Sequence, residues 1–348
     1  MALIYDILTA PNVAGYWNAS QANVNATNGE RIFPAKKQLG LKLAFVKGAA
    51  GRPVVLRASA FDTKATLRER MNVTLNEEEM PFFKESMLVK EHDRQQLNLI
   101  AQTGNQELIN TITQGIFDDT TTLVSGARAR LEAMRMQVLA TGKIGVISNG
   151  VAKDFDYGVA ETNKGKVTTA WADPTANPLA DLQKAIDALS EIAPAPEVLI
   201  LNPKTFNELK NAKTTAVAVK PLAPSGASVT NAELTNYIEA NLGLKVIVES
   251  GSYIDDDGKA KKYYPDGHVT LAPNAELGKT VFGTTPEESD LLGSNTTAAK
   301  VAIVETGIAV TTSTKTDPVN VETKVSMIAL PSFEQLDNVY MLQTVPVL

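Results

Sequence analysis

Residues 105–141 carry a helical pattern long enough to set the terms for the rest of the chain. Leu108, Ile112, Ile116 and Leu123 recur at close to helical spacing, with Asp119 interrupting them. Unbroken, such a helix is about 54 Å long at a rise of 1.5 Å per residue. Its last turns lie in GARARLEAMRMQVLATGKIG, residues 126–145. Leu131, Met134 and Val138 form an apolar stripe there, and Arg128, Glu132 and Arg135 form a charge ladder along its edge. Gly142 reads as the C-terminal stop. Gly115, Gly126 and the run Thr120, Thr121, Thr122 work against continuity. A helix of this length suggests a structural spine rather than part of a compact enzyme core.

The flanking segments change character. Residues 1–50 are polar and punctuated by Asn18, Asn23, Asn25 and Asn28. They read as an extended arm that finds its hydrogen-bond partners elsewhere. Residues 51–92 read as a long β-hairpin loop. Leu67, Glu69, Met71, Val73 and Leu75 alternate with Arg68, Arg70, Asn72 and Thr74, the period of a half-buried strand. Charge on both faces favours a projecting loop. The acidic Glu77, Glu78 and Glu79 precede Phe82 and Phe83, a composition suited either to a solvated tip or to a clamp between subunits.

Beyond Gly142, residues 144–160 resume strand character with a break at Asn149-Gly150. From about 173, helices and strands alternate, which indicates a mixed α/β domain. PLADLQKAIDALSEI is an amphipathic helix striped by Leu179, Leu182, Ile186 and Leu189. Asn202-Pro203 starts another helix, and Gly243 turns a third into a buried strand. Residues 212–230 read as a mobile loop. Near the C-terminus, Val319, Val321, Thr323, Val325 and Met327 alternate with polar residues, and 339–345 gives a further strand. Pairing of both with the strands at 144–160 would make the first domain discontinuous. The expected segmentation is an arm at 1–50, a hairpin loop at 51–92, a peripheral domain with the spine at 93–172, an axial domain at 173–305 and return strands of the peripheral domain at 306–348.

Composition excludes several function classes. The 348 residues are 44% hydrophobic and 21% charged, a globular balance with enough apolar mass for one large core or two modest ones. Net charge is −6, against the basic excess of a dedicated nucleic-acid binder. There is no cysteine, so thiolate chemistry, disulfides and cysteine-ligated metals are out. The first residues lack the basic region of a signal peptide, and no run of about 18 apolar residues marks a membrane span.

The candidate chemical motifs are weak. His92 sits in a charged run and His268 follows a Pro-Asp-Gly turn. Gly278-Lys279-Thr280 resembles the end of a phosphate-binding loop, but Pro273 stands where that motif requires glycine. Asp255-Asp256-Asp257-Gly258 lacks the glutamate of a calcium loop and is crowded by Lys259, Lys261 and Lys262, so Asp257-Gly258 reads as a hairpin turn. Nothing singles out a carboxylate pair, and no catalytic residue, cofactor or metal is expected.

The order of parts resembles the Hong-Kong-97-type capsid fold, and the chain is similar to the lambda-type major capsid protein E family of tailed phages. The residues carrying the likeness are PFFKES at 81–86, DRQQL at 93–97, RLEAMRMQVLATGKI at 130–144, DFDYG at 154–158 and ALPSFEQLDNVYMLQTV at 329–345. The resemblance covers most of the chain, from about residue 40 to its end. The resemblance implies an α+β fold with an N-terminal arm, an extended hairpin loop, a peripheral domain with a long spine helix and a mixed α/β axial domain. It implies self-assembly through hexamers and pentamers into an icosahedral head enclosing double-stranded DNA without specific binding, in the host cytoplasm and then the virion. A separate scaffolding protein, a portal and a decoration protein are the implied partners. No long helical leader precedes the arm, so the expectation is that a fused scaffolding segment is absent or was removed, with a separate scaffold the favoured arrangement. The candidate contacts between subunits are Arg68, Arg70, Glu77, Glu78, Glu79, Phe82, Phe83, Arg128, Glu132 and Arg135. An encapsulin-like shell around protein cargo is the alternative, and a mixed α/β enzyme a weaker one.

Overall fold

The computed structural model describes residues 8–21, 25–47, 74–92, 106–148, 151–222, 228–290, 299–317 and 319–346, with Gln95 and Leu99. In chain order its elements begin with α1 (Ala10–Gln21), α2 (Asn28–Ile32), β1 (Ala35–Lys37), β2 (Lys42–Lys47), β3 (Thr74–Glu79), β4 (Phe82–Val89) and α3 (Gln106–Thr141). Then come β5 (Lys143–Ser148), β6 (Val151–Asp156), β7 (Lys164–Lys166), α4 (Pro178–Ile192), β8 (Val198–Leu201), α5 (Pro203–Asn211), α6 (Lys213–Val219), α7 (Asn231–Leu242) and β9 (Lys245–Val248). Last are β10 (Ser252–Ile254), β11 (Ala260–Lys262), β12 (His268–Ala272), β13 (Thr280–Phe282), α8 (Pro286–Asp290), β14 (Ala299–Val304), β15 (Ile308–Thr316), β16 (Val319–Pro331) and β17 (Tyr340–Gln343).

The chain forms two compact units. One comprises Met1–Leu43, Glu77–Glu132 and Lys279–Ser332; the other comprises Ala44–Asn76, Ala133–Gly278 and Phe333–Leu348. In the first, β16 is the axis of the sheet. It pairs antiparallel with β15 along nine residues, with β4 along eight and with β13 near its end. β14 extends the β15 side, and β1 lies parallel to β13. α1 packs on β14 and β15 through Ala10, Val13, Ala14 and Trp17, a helical i, i+3, i+4, i+7 set. The Ala10 amide donates to Thr312 Oγ1 at 3.0 Å.

The second unit is built on a sheet of order β7-β17-β12-β8-β9. Every residue of β8, Val-Leu-Ile-Leu, is buried. Trp171, Leu182, Leu189, Leu199, Phe206, Leu234 and Leu271 pack into one cluster around it. This is the apolar run expected of a strand covered on both faces. The hairpins β5–β6 and β10–β11 belong to this unit.

Helix α3 runs unbroken from Gln106 to Thr141. The threonine run is absorbed because each hydroxyl bonds back to a carbonyl of the preceding turn: Thr120 to Ile116, Thr121 to Asp118 and Thr122 to Asp119. The helix ends at Gly142, whose φ of 69° is left-handed and whose amide donates to Val138 O at 2.8 Å. Thr270 Oγ1 of β12 caps the Leu139 carbonyl at 2.8 Å.

Four expectations need correcting. The N-terminal segment is not extended: α1 and α2 lie within it, and Thr27 with Glu30 closes a capping box on α2. The hairpin loop has other bounds than 51–92: its described strands are β2 and β3. β3 pairs with β2, whereas β4 joins β16. The chain turns between them where Met80 is buried, its amide bonded to Leu41 O, and Pro81 has no amide to give. The alternation that begins at Leu67 lies outside the described residues as far as Val73, and Thr74 and Leu75 open β3. The C-terminal strands do not pair with 144–160: β5 and β6 pair with each other, β16 takes its sequence neighbour β15, and β17 enters the other unit's sheet between β12 and β7. The proposed boundary at 305 thus falls inside the β14–β15 hairpin. Within 212–230, α6 is ordered by Thr214 Oγ1 on Ala176 O and by Ala216 against the apolar cluster, while 223–227 lies outside the described residues.

Candidate subunit-contact site

Glu78 and Glu79 are exposed, Met80 and Pro81 are buried, and β4 then lies almost wholly at the surface. Phe83 turns toward α3, with the Arg130 guanidinium 5.9 Å from its ring centroid. Phe82 points the other way, 41% exposed, with Lys84 5.6 Å from its centroid. Met87 and Leu88 are also exposed. β4 therefore anchors through Phe83 and offers Phe82, Met87 and Leu88 outward. Arg68 and Arg70 lie outside the described residues, as does the side chain of Glu77.

The helix ladder is turned inward. Glu132 and Arg135 are buried, at 4% and 3% exposure. The Glu132 carboxylate accepts from Thr27 Oγ1 at 2.7 Å and from the Gly29 amide at 2.9 Å. A Cβ on Gly29 would stand 2.4 Å from Glu132 Oε2, so only glycine permits this approach. Arg128 reaches Gln21 Oε1 at 2.6 Å, Glu30 Oε1 at 2.9 Å and Glu305 Oε1 at 3.3 Å. Burial works against its charge, but the Glu30 hydrogen bond and the carboxylates of Glu305 and Glu132 outweigh it and hold its pKa above the ordinary arginine value. Arg128 and Glu132 thus tie α1–α2 and the β14–β15 turn to α3. For Arg128 and Glu132 this corrects the expectation that the ladder offers charge to a neighbour: the chain's own N-terminal segment engages both.

A second polar cluster carries no signal in the sequence. Glu287 Oε1 meets Lys324 Nζ at 2.5 Å, and its Oε2 accepts from Ser326 Oγ at 2.8 Å. The next residue, Glu288, meets Lys37 Nζ at 2.5 Å. Burial opposes ionisation of Glu287, yet Lys324, a backbone amide and Ser326 hold its pKa below the ordinary glutamate value. Two adjacent acids thereby pin α8 to β16 and β1.

The motifs tested for chemistry resolve into structural roles. The Lys279 amide bonds to Ser332 Oγ and the Thr280 amide to Pro34 O, so these donors are engaged in the β13 region rather than in a phosphate cradle. Asp255 pairs with Lys261 across the β10–β11 turn, where Gly258 has a φ of 74°. His268 Nδ1 lies 2.9 Å from Asp266 O. Among the described residues no three His, Asp or Glu side chains gather as a metal site, and no helix is long and apolar enough to cross a membrane.

This arrangement has known counterparts. The family model described as phage major capsid protein E matches residues 9–343. No curated protein matches. Among solved structures, a protein of E. coli CFT073 assigned as a prophage capsid protein superposes with a TM-score of 0.58 at 14% identity, covering 97% of this chain and 99% of that one. A phage-related protein of Bordetella bronchiseptica RB50 gives a TM-score of 0.56 at 13% identity, covering 96% and 98%. At these identities the structural likeness bears on the fold.

Proposed function

We infer the role of this chain from its membership: it belongs to the phage major capsid protein E family. It is a structural, shell-forming component of the virion and not an enzyme. The finer reading is that copies assemble as hexamers and pentamers into an icosahedral head of a tailed phage, enclosing double-stranded DNA without specific contacts. The net charge of −6 supports a wall that does not grip its contents. A cargo-enclosing compartment shares the fold, so the fold does not separate the two; the family match does.

In this reading the axial domain is built around the apolar cluster of β8 and β12, with β7 and β17 joining its sheet from outside 173–305, and the sheet of β16 belongs to the peripheral domain. A separate scaffolding protein and a portal are the partners this role calls for, with assembly in the host cytoplasm. Arg68, Arg70, Glu77, Glu78, Glu79 and Phe82 contact neighbouring subunits, whereas Phe83, Arg128, Glu132 and Arg135 hold the subunit's own shape. Each exposed ion pair contributes under about 1 kcal/mol, but the contact repeats over every copy in a shell.

Electron microscopy of the expressed chain, alone and with any neighbouring scaffold gene, tests the role. Uniform hollow shells, tubes or capsomer rings are expected, and a monomer in both preparations overturns it. Charge reversal at Arg68 and Arg70 tests the loop assignment separately: parental assembly yield and shell stability in that variant would remove those residues from the contact.

A further inference from the structure

Two Asn-Gly steps occur in the chain, Asn28-Gly29 and Asn149-Gly150, and the second lies outside the described residues. Such a step carries its own chemistry. The glycine nitrogen, unshielded by any Cβ, attacks the side-chain amide carbon of the asparagine. A C–N bond forms, ammonia leaves, and water opens the resulting cyclic imide to aspartate or isoaspartate. The attack requires that the glycine amide lose its proton and that the asparagine swing its main chain into position. At Asn28 the fold opposes both. The Gly29 amide is buried and donates to Glu132 Oε1 at 2.9 Å. Deprotonation there would set a second negative charge beside the carboxylate. Asn28 is the first residue of α2, and closing the imide takes it out of the helical ψ range. Its Oδ1 is also held, accepting from Arg31 Nη2 at 2.8 Å.

What protects Asn28 is therefore the seat of α2 on α3. Helix α2 has 5 residues, too few to hold by propensity alone. It is tied to α3 by Thr27 and Gly29 on Glu132 and by Glu30 on Arg128. Those ties break together when α2 lifts, an opening smaller than global unfolding. We propose that Asn28 is a deamidation site gated by α2: inert while α2 is seated, and converted one way once it lifts. The lability belongs to the contact itself. The missing Cβ that lets Glu132 approach Gly29 is what makes Asn28 reactive when Glu132 is gone. Isoaspartate then adds a methylene to the main chain immediately before Gly29. The seat has no room for it, since even a Cβ on Gly29 would stand 2.4 Å from Glu132 Oε2. The converted segment stays off Glu132. The step takes place within one subunit and stands apart from the shell-forming role.

Peptide mapping by mass spectrometry follows deamidation at Asn28 in mildly alkaline buffer, in the folded chain and in urea. Asn149 in the same digest serves as the reference for buffer conditions. The folded rate is expected to lie roughly tenfold or more below the urea rate. Glu132→Ala should raise the folded rate by a similar factor, with circular-dichroism melting as the check that the chain is folded. Thr27→Ala removes one Glu132 donor and the α2 cap; it should give a smaller rise, and it carries the test if Glu132→Ala does not fold. Equal rates in the folded parent and in urea overturn the gate, as does a folded variant no faster than the parent. The one-way half is read on incubated samples, in which converted and unconverted peptides separate. Hydrogen exchange over residues 27–33 should be roughly tenfold or more faster in the isoaspartate form. The incubated Thr27→Ala chain supplies that form if the parent yields too little. Equal protection in the two forms overturns the one-way step.

Discussion

The two sheets solve burial in opposite ways. β8 and β12 of the second unit are short and apolar, and Leu199, Leu201, Val269 and Leu271 are fully covered by helices and neighbouring strands. The sheet around β16 is longer and mixed. Thr311, Thr312, Thr323 and Ser326 are buried within it, Lys324 and Glu322 enter ion pairs, and β4 leaves most of its length at the surface. The first sheet type finishes its packing inside one chain. The second uses polar contacts to stay folded and keeps exposed apolar side chains, which suits a protein whose copies cover one another.

Truncation on each side is the strongest test of that contrast. Leu199→Ala removes a buried side chain from the second unit and is expected to cost roughly 2–5 kcal/mol in denaturant unfolding. Phe82→Ala removes a larger side chain from β4, yet is expected to cost about 0.5 kcal/mol or less, because it is a surface change. Its effect belongs in assembly yield instead. Similar unfolding losses for the two variants would erase the distinction.

Acid sharpens the comparison next. Glu287 is held ionised below the ordinary glutamate value by Lys324 and Ser326. A depressed carboxylate pKa stabilises the folded state above the unfolded-state pKa, about 4.3, and that contribution is lost as pH falls through the folded-state value. Glu287→Gln is therefore expected to lower the melting temperature at neutral pH. The gap to the parent should narrow as pH drops below about 4. A gap constant across that window means the carboxylate's charge is not what pins α8.

What could be read in the sequence was local. The end of α3 at Gly142, the Asn202 cap, the Gly243 turn and the whole of α4 follow from residues within a few positions of one another. The family likeness also rested on contiguous stretches. What was missed was set by partners far along the chain. Arg128 and Glu132 read as a surface ladder because their partners Glu30 and Gly29 stand 98 and 103 residues away. β4 read as one half of a hairpin because nothing in its own alternation names β16. α1 was the exception: Ala10, Val13, Ala14 and Trp17 show its face, but the asparagines around them mask it.

Glycines give the smallest and cleanest test of the same division between local and distant causes. Gly126 sits within α3, exposed, with nothing within 4 Å of where an alanine Cβ would stand and no positive φ. Only helix propensity acts there, so Gly126→Ala is expected to stabilise the fold by up to about 1 kcal/mol. Gly29 also lies in a helix, but its Cβ position is occupied by the Glu132 carboxylate. Gly29→Ala must push that carboxylate off the Thr27 hydroxyl and the Gly29 amide, so the sign reverses to a loss of about 1–3 kcal/mol. Melting curves of the two variants should move in opposite directions. If both rise, Glu132 yields freely and the tie between the N-terminal helices and α3 is weaker than its geometry implies.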